Sequence, residues 1–163
     1  SGYFQVVVNG TNFGSIRGRN ISFGGTNHGY ISGSSGYYYS VGLSFSGVNH
    51  GTVSFSNDYN IGYGSLSFSG INSGHVGFWD DSDENYGSAT KFSGENNNSV
   101  YIYGPIELSD CINRGSIYAS SHGTTGSSFF GEVSNHGTLG IQGKLDISGV
   151  FKNYGNFEII KLY

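Results

Sequence analysis

The sequence predicts an all-β protein that folds as a single-domain parallel β-helix, or β-solenoid, over residues 1–163. The stretch LSFSGVNHGTVSF at positions 43–55 recurs as LSFSGINSGHVGF at positions 66–78. Apolar and polar residues alternate on both sides of the Asn-x-Gly in each stretch, which is the period of a β-strand. The composition agrees, because 29 Gly, 13 Tyr and 12 Phe accompany only two Ala and no Met, so good helix formers are scarce.

The repeat can be followed along the whole chain from its Asn residues. Its alternate positions in the first stretch are Leu43, Phe45, Gly47, Asn49, Gly51, Val53 and Phe55. Related copies are centred on Asn12, Asn27, Asn49, Asn72, Asn96, Asn113, Asn135 and Asn153. One pair of short strands cannot bury its apolar side chains alone, whereas stacked copies bury a continuous core. We therefore predict about eight coils, stacked at the usual strand spacing of about 4.8 Å, with no capping helix.

Each Asn-x-Gly is predicted to form a corner between two strands of a coil. Asn98 replaces the glycine in the fifth copy, and Asn is the non-glycine residue that best tolerates a left-handed backbone. We therefore expect the corner glycines, such as Gly51 and Gly74, to have positive φ. The eight corner Asn residues are expected to stack as a ladder in which each amide bonds the next, as Asn does in cross-β structures.

Three stretches place Asn-x-Gly directly before alternating apolar residues: NHGTVSF at 49–55, NRGSIYA at 113–119 and NHGTLGIQG at 135–143. This pattern resembles the parallel β-helix of secreted bacterial adhesins of the filamentous-haemagglutinin type. The resemblance implies a right-handed coil, export from the cell and a surface or structural role. Sequons for N-glycosylation at Asn9, Asn20 and Asn97 are compatible with export.

The chain is predicted to assemble end to end. Solenoids that remain monomeric cover their terminal coils with a helix or a polar cap, and neither pattern occurs in YFQVVVNG at 3–10 or NFEIIKLY at 156–163. The expected stacking residues are Val6, Val8 and Ile16 at one end and Phe157, Ile159 and Leu162 at the other. Each end would pair with the opposite end of another copy, and such a heterologous contact propagates as a filament.

The longest insertions between copies carry aromatic residues. They fall at the same point of the repeat, so they are expected to project from one lateral edge. The aromatic residues of this edge are Tyr37, Tyr39, Tyr59, Tyr63, Trp79 and Tyr86. Aromatic planes beside amides and carboxylates suit sugar rings or a protein partner. The alternative is that the same side chains lie over the coil edge and cover its apolar interior.

The stretch WDDSDENYG at 79–87 contains the one cluster of carboxylates. Asp81, Asp83 and Asn85 offer oxygen ligands for calcium at alternate positions, but the EF-hand spacing fails because Phe92 stands at the twelfth position. No Arg or Lys lies nearby to hold an acidic sugar for cleavage, and no set of nucleophile, base and oxyanion donors can be assembled. We predict a solvated acidic loop, with no catalytic residue, no metal and no cofactor.

Three histidines occupy the middle position of Asn-x-Gly, namely His28, His50 and His136. Stacked imidazoles on adjacent coils could hold zinc or respond to acid. Phe13 and Tyr154 stand at the same position in other copies, so the column as a whole does not offer a set of zinc ligands. The pattern favours a surface column of mixed residues.

Charge restricts the remaining partners. Seven scattered Lys and Arg face eleven Asp and Glu, so no basic stripe is available for nucleic acid, and no apolar segment is long enough to span a membrane. We expect an extracellular or cell-surface structural protein without enzyme activity, a fibre subunit or adhesin segment that binds itself head to tail, with surface glycans as further partners. The alternative is a carbohydrate-binding or tailspike-like glycan-processing module.

Overall fold

The computed structural model describes residues 5–34, 41–57, 64–80, 90–120 and 125–160. The described residues form β-strands and no helix, so none of them belongs to a helix that could cross a membrane. In chain order the strands are β1 (Val6–Asn12), β2 (Ser15–Gly18), β3 (Ile21–Asn27), β4 (Tyr30–Ser34), β5 (Val41–Asn49), β6 (Thr52–Asn57), β7 (Gly64–Asn72), β8 (His75–Asp80), β9 (Thr90–Asn96), β10 (Ser99–Tyr103), β11 (Ile106–Asn113), β12 (Ser116–Ser120), β13 (Ser127–Asn135), β14 (Thr138–Gln142), β15 (Leu145–Ile147), β16 (Val150–Asn153) and β17 (Asn156–Ile160).

The strands form two parallel sheets, and the chain passes back and forth between them. Sheet 1 has the order β1-β3-β5-β7-β9-β11-β13-β15, with β16 also paired to β13. Sheet 2 has the order β2-β4-β6-β8-β10-β12-β14-β17. Neighbouring strands of one sheet are parallel and come from successive turns of the chain. The predicted all-β parallel solenoid is therefore confirmed, while the coil number and the handedness stay predictions.

The register of the sheets follows the sequence repeat. The nine residues of β5 pair with the nine of β7. The strands of the two repeated stretches therefore lie side by side, and most of their paired residues are identical. Inward-pointing residues of successive copies consequently stack into buried columns. One column consists of Phe23, Phe45, Phe68 and Phe92, whose ring centroids are 5.3, 4.8 and 5.0 Å apart in turn. The repeat therefore places identical side chains in contact, which produces a continuous aromatic core.

The prediction of positive φ at the corner glycines is wrong. Gly51 and Gly74 are not among the glycines with positive φ. The left-handed glycines of the repeat stand two residues before the corner Asn, with φ from 99° to 130°: Gly10, Gly25, Gly47, Gly70 and Gly94. A residue with a Cβ atom would be strained in this conformation. The repeat therefore needs glycine for its backbone angles two residues before the corner Asn, and not at the corner itself.

The corner glycines are required because adjacent coils approach each other closely. A Cβ atom on Gly51 would overlap the carbonyl oxygen of Gly29, and one on Gly74 would overlap that of Gly51. The same carbonyl of Gly29 accepts a hydrogen bond from Thr52 N at 2.9 Å. A side chain at the corner would therefore push apart the backbone groups that join one coil to the next.

Asn98 shows how one corner accommodates a side chain. Ser99 N donates to Gly74 O at 3.3 Å, whereas the equivalent bonds at the other corners measure 2.6–2.9 Å. The Asn98 amide also donates to Ser73 O at 3.2 Å. The coils are thus further apart at this corner, and the side chain adds a hydrogen bond of its own.

The single cysteine is part of the core. Cys111 is fully buried, and burial raises the pKa of its thiol to about 12. Since the thiolate is the reactive form, we expect the folded chain to resist a thiol reagent at pH 8 and the unfolded chain to react promptly. Absorbance with a chromogenic disulfide reagent, with and without denaturant, measures this difference. Rapid labelling of the folded chain would contradict the burial of this side chain.

Candidate functional site

The outward face of sheet 2 is the most varied surface among the described residues. Its side chains are the third, fifth and seventh after each corner Asn, because strand side chains alternate between the two faces. Ten of these 24 positions are Ser or Thr. The charged and aromatic members are Arg17, Arg19, Tyr30, His75, Trp79, Tyr101, Tyr103, Tyr118 and Glu158.

Four aromatic rings in the middle of this face form a ridge, which we define as Trp79, Tyr101, Tyr103 and Tyr118. The Trp79 ring stacks on Tyr103 at 5.2 Å between centroids, and Tyr101 stacks on Tyr118 at the same distance. Burial and the neighbouring Tyr103 raise the pKa of Tyr101. The Tyr101 hydroxyl therefore stays protonated at neutral pH, and Trp79 remains 46% exposed.

A depression of about 630 Å³ lies between the ridge and the N-terminal end of sheet 2. Trp79 bounds it on one side and Tyr30 and the two arginines bound it on the other. Hydroxyl groups form its floor, and they come from Ser32, Ser34, Thr52, Ser54 and Ser56. We call this depression the arginine groove.

The rings at the borders of the arginine groove are held in place by neighbouring side chains. The Tyr30 hydroxyl lies 3.0 Å from Ser54 Oγ, and the Arg17 guanidinium lies over the Tyr30 ring at 5.7 Å from its centroid. His75 Nδ1 lies 2.9 Å from Ser99 Oγ. Burial lowers the pKa of His75, so this ring is neutral at pH 7 and the positive charge of the groove comes from its arginines.

The arginines of this groove differ from the three cations that form ion pairs among the described residues. Lys91, Arg114 and Lys152 each contact a glutamate. Neither Arg17 nor Arg19 forms an ion pair with a described acidic side chain, and both are exposed. The groove is therefore a local positive region on a chain whose net charge is -4.

The corner Asn residues form an uninterrupted ladder. Each Nδ2 donates to the Oδ1 of the next Asn along the chain, from Asn12 to Asn153, at 2.7–2.9 Å. Inner rungs such as Asn27 also donate to backbone carbonyls on their own and the next coil, and their Oδ1 accepts a backbone N–H. The six inner Asn side chains are fully buried, and their polar groups are satisfied within the ladder.

The first and last rungs of the ladder have unused hydrogen-bonding capacity towards the ends. Among the described residues, Asn12 Oδ1 accepts a hydrogen bond from Gly14 N alone. Asn153 Nδ2 likewise donates to Gly155 O alone. The ladder therefore has a polarity, with an acceptor directed away from the stack at one end and a donor at the other.

Both ends of the described stack expose apolar side chains. The N-terminal face comprises Val6, Val8, Asn12, Phe13 and Ile16, and the C-terminal face comprises Phe151, Asn153, Tyr154, Phe157 and Ile159. Phe13 is 78% exposed and Tyr154 67% exposed, although each stacks on a histidine of the adjacent coil at about 5 Å. Val8, Ile16, Phe151 and Phe157 are covered on one side by the core and are only partly buried.

Several residues that the sequence predicts for the sites lie outside the described residues. They are Tyr37, Tyr39, Tyr59, Tyr63 and Tyr86 of the aromatic edge, the calcium candidates Asp81, Asp83 and Asn85, and Leu162 of the stacking end. Of the edge residues Trp79 is described, and it lies in the ridge on the outward face of sheet 2. Its ring contacts Tyr101 and Tyr103, which the sequence analysis did not select.

The signal for the ridge and the arginine groove was present in the repeat. Tyr101 and Tyr118 both stand five residues after a corner Asn, as Arg17 does, so their common column follows from the frame. The inward positions and the insertions do not reveal this face, whereas the outward positions of the same frame identify it.

The column at the middle position of Asn-x-Gly carries rings towards its two ends and Ser73, Asn97 and Arg114 between His50 and His136. Phe13 lies over His28 at 5.1 Å, and His28 lies over His50 at 4.9 Å. In the part of the chain that the structure describes, no three His, Cys, Asp or Glu side chains are grouped as metal ligands.

No protein-family model, curated protein or solved structure matches this chain.

Proposed function

We propose that this chain is an extracellular structural protein, a right-handed β-solenoid of eight coils that serves as a fibre subunit or adhesin segment. Its copies stack head to tail into filaments, and it has no catalytic role. The observation that carries the proposal is the polarity of the Asn ladder. The donor of Asn153 in one copy and the acceptor of Asn12 in the next are the two halves of the bond that joins every internal pair of rungs.

The backbone at the two faces is complementary in the same register. At each internal corner, N–H groups of one coil donate to carbonyls of the preceding coil, as Tyr154 N does to Asn135 O and Asn156 N to Gly137 O. Continuing this pattern places Phe13 N of the next copy on Asn153 O. Within the described residues, each face alone leaves a row of unpaired backbone groups, which is the arrangement that favours strand addition.

Side chains in this register are also complementary. Counting from the corner Asn residues, Tyr154 falls opposite Phe13, so the column of stacked rings continues from one copy to the next. Glu158 falls opposite Arg17, which places opposite charges on neighbouring strands. Phe157 falls opposite Ile16, and their contact would bury the apolar surface that both faces expose.

Gly14→Ala is the variant that tests this assembly. A Cβ atom on Gly14 meets nothing within 4 Å in its own chain, and Gly14 does not have positive φ. In the proposed contact Gly14 lies over Gly155 as Gly155 lies over Gly137, where an added Cβ overlaps the carbonyl below. We expect Gly14→Ala to keep the circular dichroism and melting temperature of the wild type but to lose the large species in sedimentation velocity.

Ser67→Ala is a suitable control, because Ser67 is exposed on β7, in the middle of sheet 1 and away from both faces. This variant should assemble like the wild type. Assembly of Gly14→Ala at the wild-type concentration, or a wild-type chain that stays monomeric at high concentration, would exclude the head-to-tail contact.

A further inference from the structure

We propose that the arginine groove binds an acidic oligosaccharide, with its carboxylates at Arg17 and Arg19 and a sugar ring on Trp79. This binding function is separate from filament assembly. It is carried by the chemistry of the groove, which combines guanidinium groups that no described carboxylate pairs, a floor of hydroxyls and aromatic rings at opposite borders.

The charge of the groove selects an anion. Arg17 and Arg19 are two positions apart on the outward side of the same chain segment. No described carboxylate forms an ion pair with either of them. A guanidinium group binds a carboxylate through paired N–H donors with defined geometry. His75 at the far border is neutral, so the two arginines supply this charge.

The shape and the remaining lining favour a sugar over a simple anion. From β2 to β8 the groove crosses three strand spacings, about 14 Å, which suits an extended ligand of several rings. Serine and threonine hydroxyls both donate and accept hydrogen bonds and so match sugar hydroxyls. Trp79 offers the exposed aromatic plane on which the apolar face of a sugar ring packs.

The groove and the filament contact share Arg17. In a filament Glu158 of the neighbouring copy would lie beside Arg17, which leaves Arg19 as the cation of each internal groove that no described carboxylate pairs. Binding is therefore measured at concentrations at which sedimentation shows single chains. If the chain does not form filaments, this measurement of sugar binding is unaffected. If the chain does not bind the sugar, the filament proposal is likewise unaffected.

Titration of the dilute protein with hexagalacturonate and with trisialic acid tests the proposal. Trp79 is the one tryptophan of the chain, so its fluorescence reports directly on the groove. We expect saturable quenching by at least one of these acidic probes, weakening as salt is raised. Fully methyl-esterified hexagalacturonate, which keeps the rings and loses the charge, should bind at least about tenfold more weakly than the acid if a carboxylate–arginine contact is lost.

Two variants with matched controls locate the site. By isothermal titration calorimetry, Arg19→Gln and Trp79→Ala should each weaken binding of the acidic probe about tenfold. Arg114→Gln and Phe130→Ala alter an exposed arginine and an exposed aromatic residue elsewhere and should leave the affinity unchanged. All four side chains are at the surface, so circular dichroism should show each variant folded.

Three results would overturn the proposal. The first is an absence of quenching by both acidic probes. The second is equal affinity for the esterified probe, which would remove the arginines from the contact. The third is equal binding of hexaglutamate with no effect of Trp79→Ala, which would reveal a site for any polyanion, including an acidic peptide.

Discussion

Alanine at four glycines of the repeat is expected to destabilise the solenoid in a graded series that separates backbone strain from steric overlap. Gly14→Ala should be nearly neutral in a single chain, because its φ is ordinary and no atom lies near the added Cβ. Gly10→Ala should cost about 1–2 kcal/mol, since its φ is 129° but its surroundings are open. Urea unfolding of monomeric samples measures both changes.

The other two members of the series add the contact between coils. Gly51→Ala should cost at least about 3 kcal/mol, because the added Cβ overlaps backbone atoms of Gly29 that cannot move without separating the coils. Gly47→Ala should cost more, since it combines a φ of 130° with an overlap on Gly25 O. Equal stabilities for Gly14→Ala and Gly51→Ala would contradict the close approach at the corners.

Removal of an inner rung of the Asn ladder is expected to have an effect of similar size. Asn72→Ala leaves the buried backbone N–H of Gly74 without its acceptor and removes one hydrogen bond each from Asn49 Nδ2 and Asn96 Oδ1, which keep their other partners. An unsatisfied buried group costs about 1–3 kcal/mol and each further lost hydrogen bond about 0.5–1.5 kcal/mol, so a loss of at least about 2 kcal/mol is expected. The free energy of unfolding in urea is the quantity to measure.

Asn153→Ala is the matched control for the ladder. Asn153 is the exposed end rung, and its neighbour Asn135 keeps hydrogen bonds to the carbonyls of Gly137 and Asn156. The loss of stability should therefore be about 1 kcal/mol or less. Comparable losses for the inner and end rungs would mean that the ladder contributes little beyond burial.

The inward half of each coil was predictable from the sequence because one frame of alternation applies to every coil. Leu43, Phe45 and Val53 belong to that frame, and all three are buried. A one-residue slip would expose every apolar side chain, so the pattern fixes the register with little ambiguity. The same frame identified the corner Asn residues, whose amides bond one another in the structure.

The role of the glycines was not predictable, because the same residue type serves two physical needs in one repeat. Gly47 is required for its dihedral angles and Gly51 for the closeness of the neighbouring coil, and sequence spacing alone does not separate these causes. Asn98 misled the interpretation, since Asn tolerates a left-handed backbone yet stands here at a corner that has opened slightly. The arginine groove depends on side chains from β2, β4, β6 and β8, which become neighbours only through stacking.

The axial repeat of the assembled protein, measured by electron cryomicroscopy, tests the head-to-tail account most directly. The proposed eight coils, at about 4.8 Å each, predict unbranched filaments with a strong layer line near 4.8 Å and a subunit rise of about 38 Å. Gly14→Ala examined at the same concentration should show single particles. Discrete closed oligomers of the wild type, or filaments whose strands run across the axis so that the 4.8 Å spacing is not axial, would contradict the continuation of the ladder from one copy to the next.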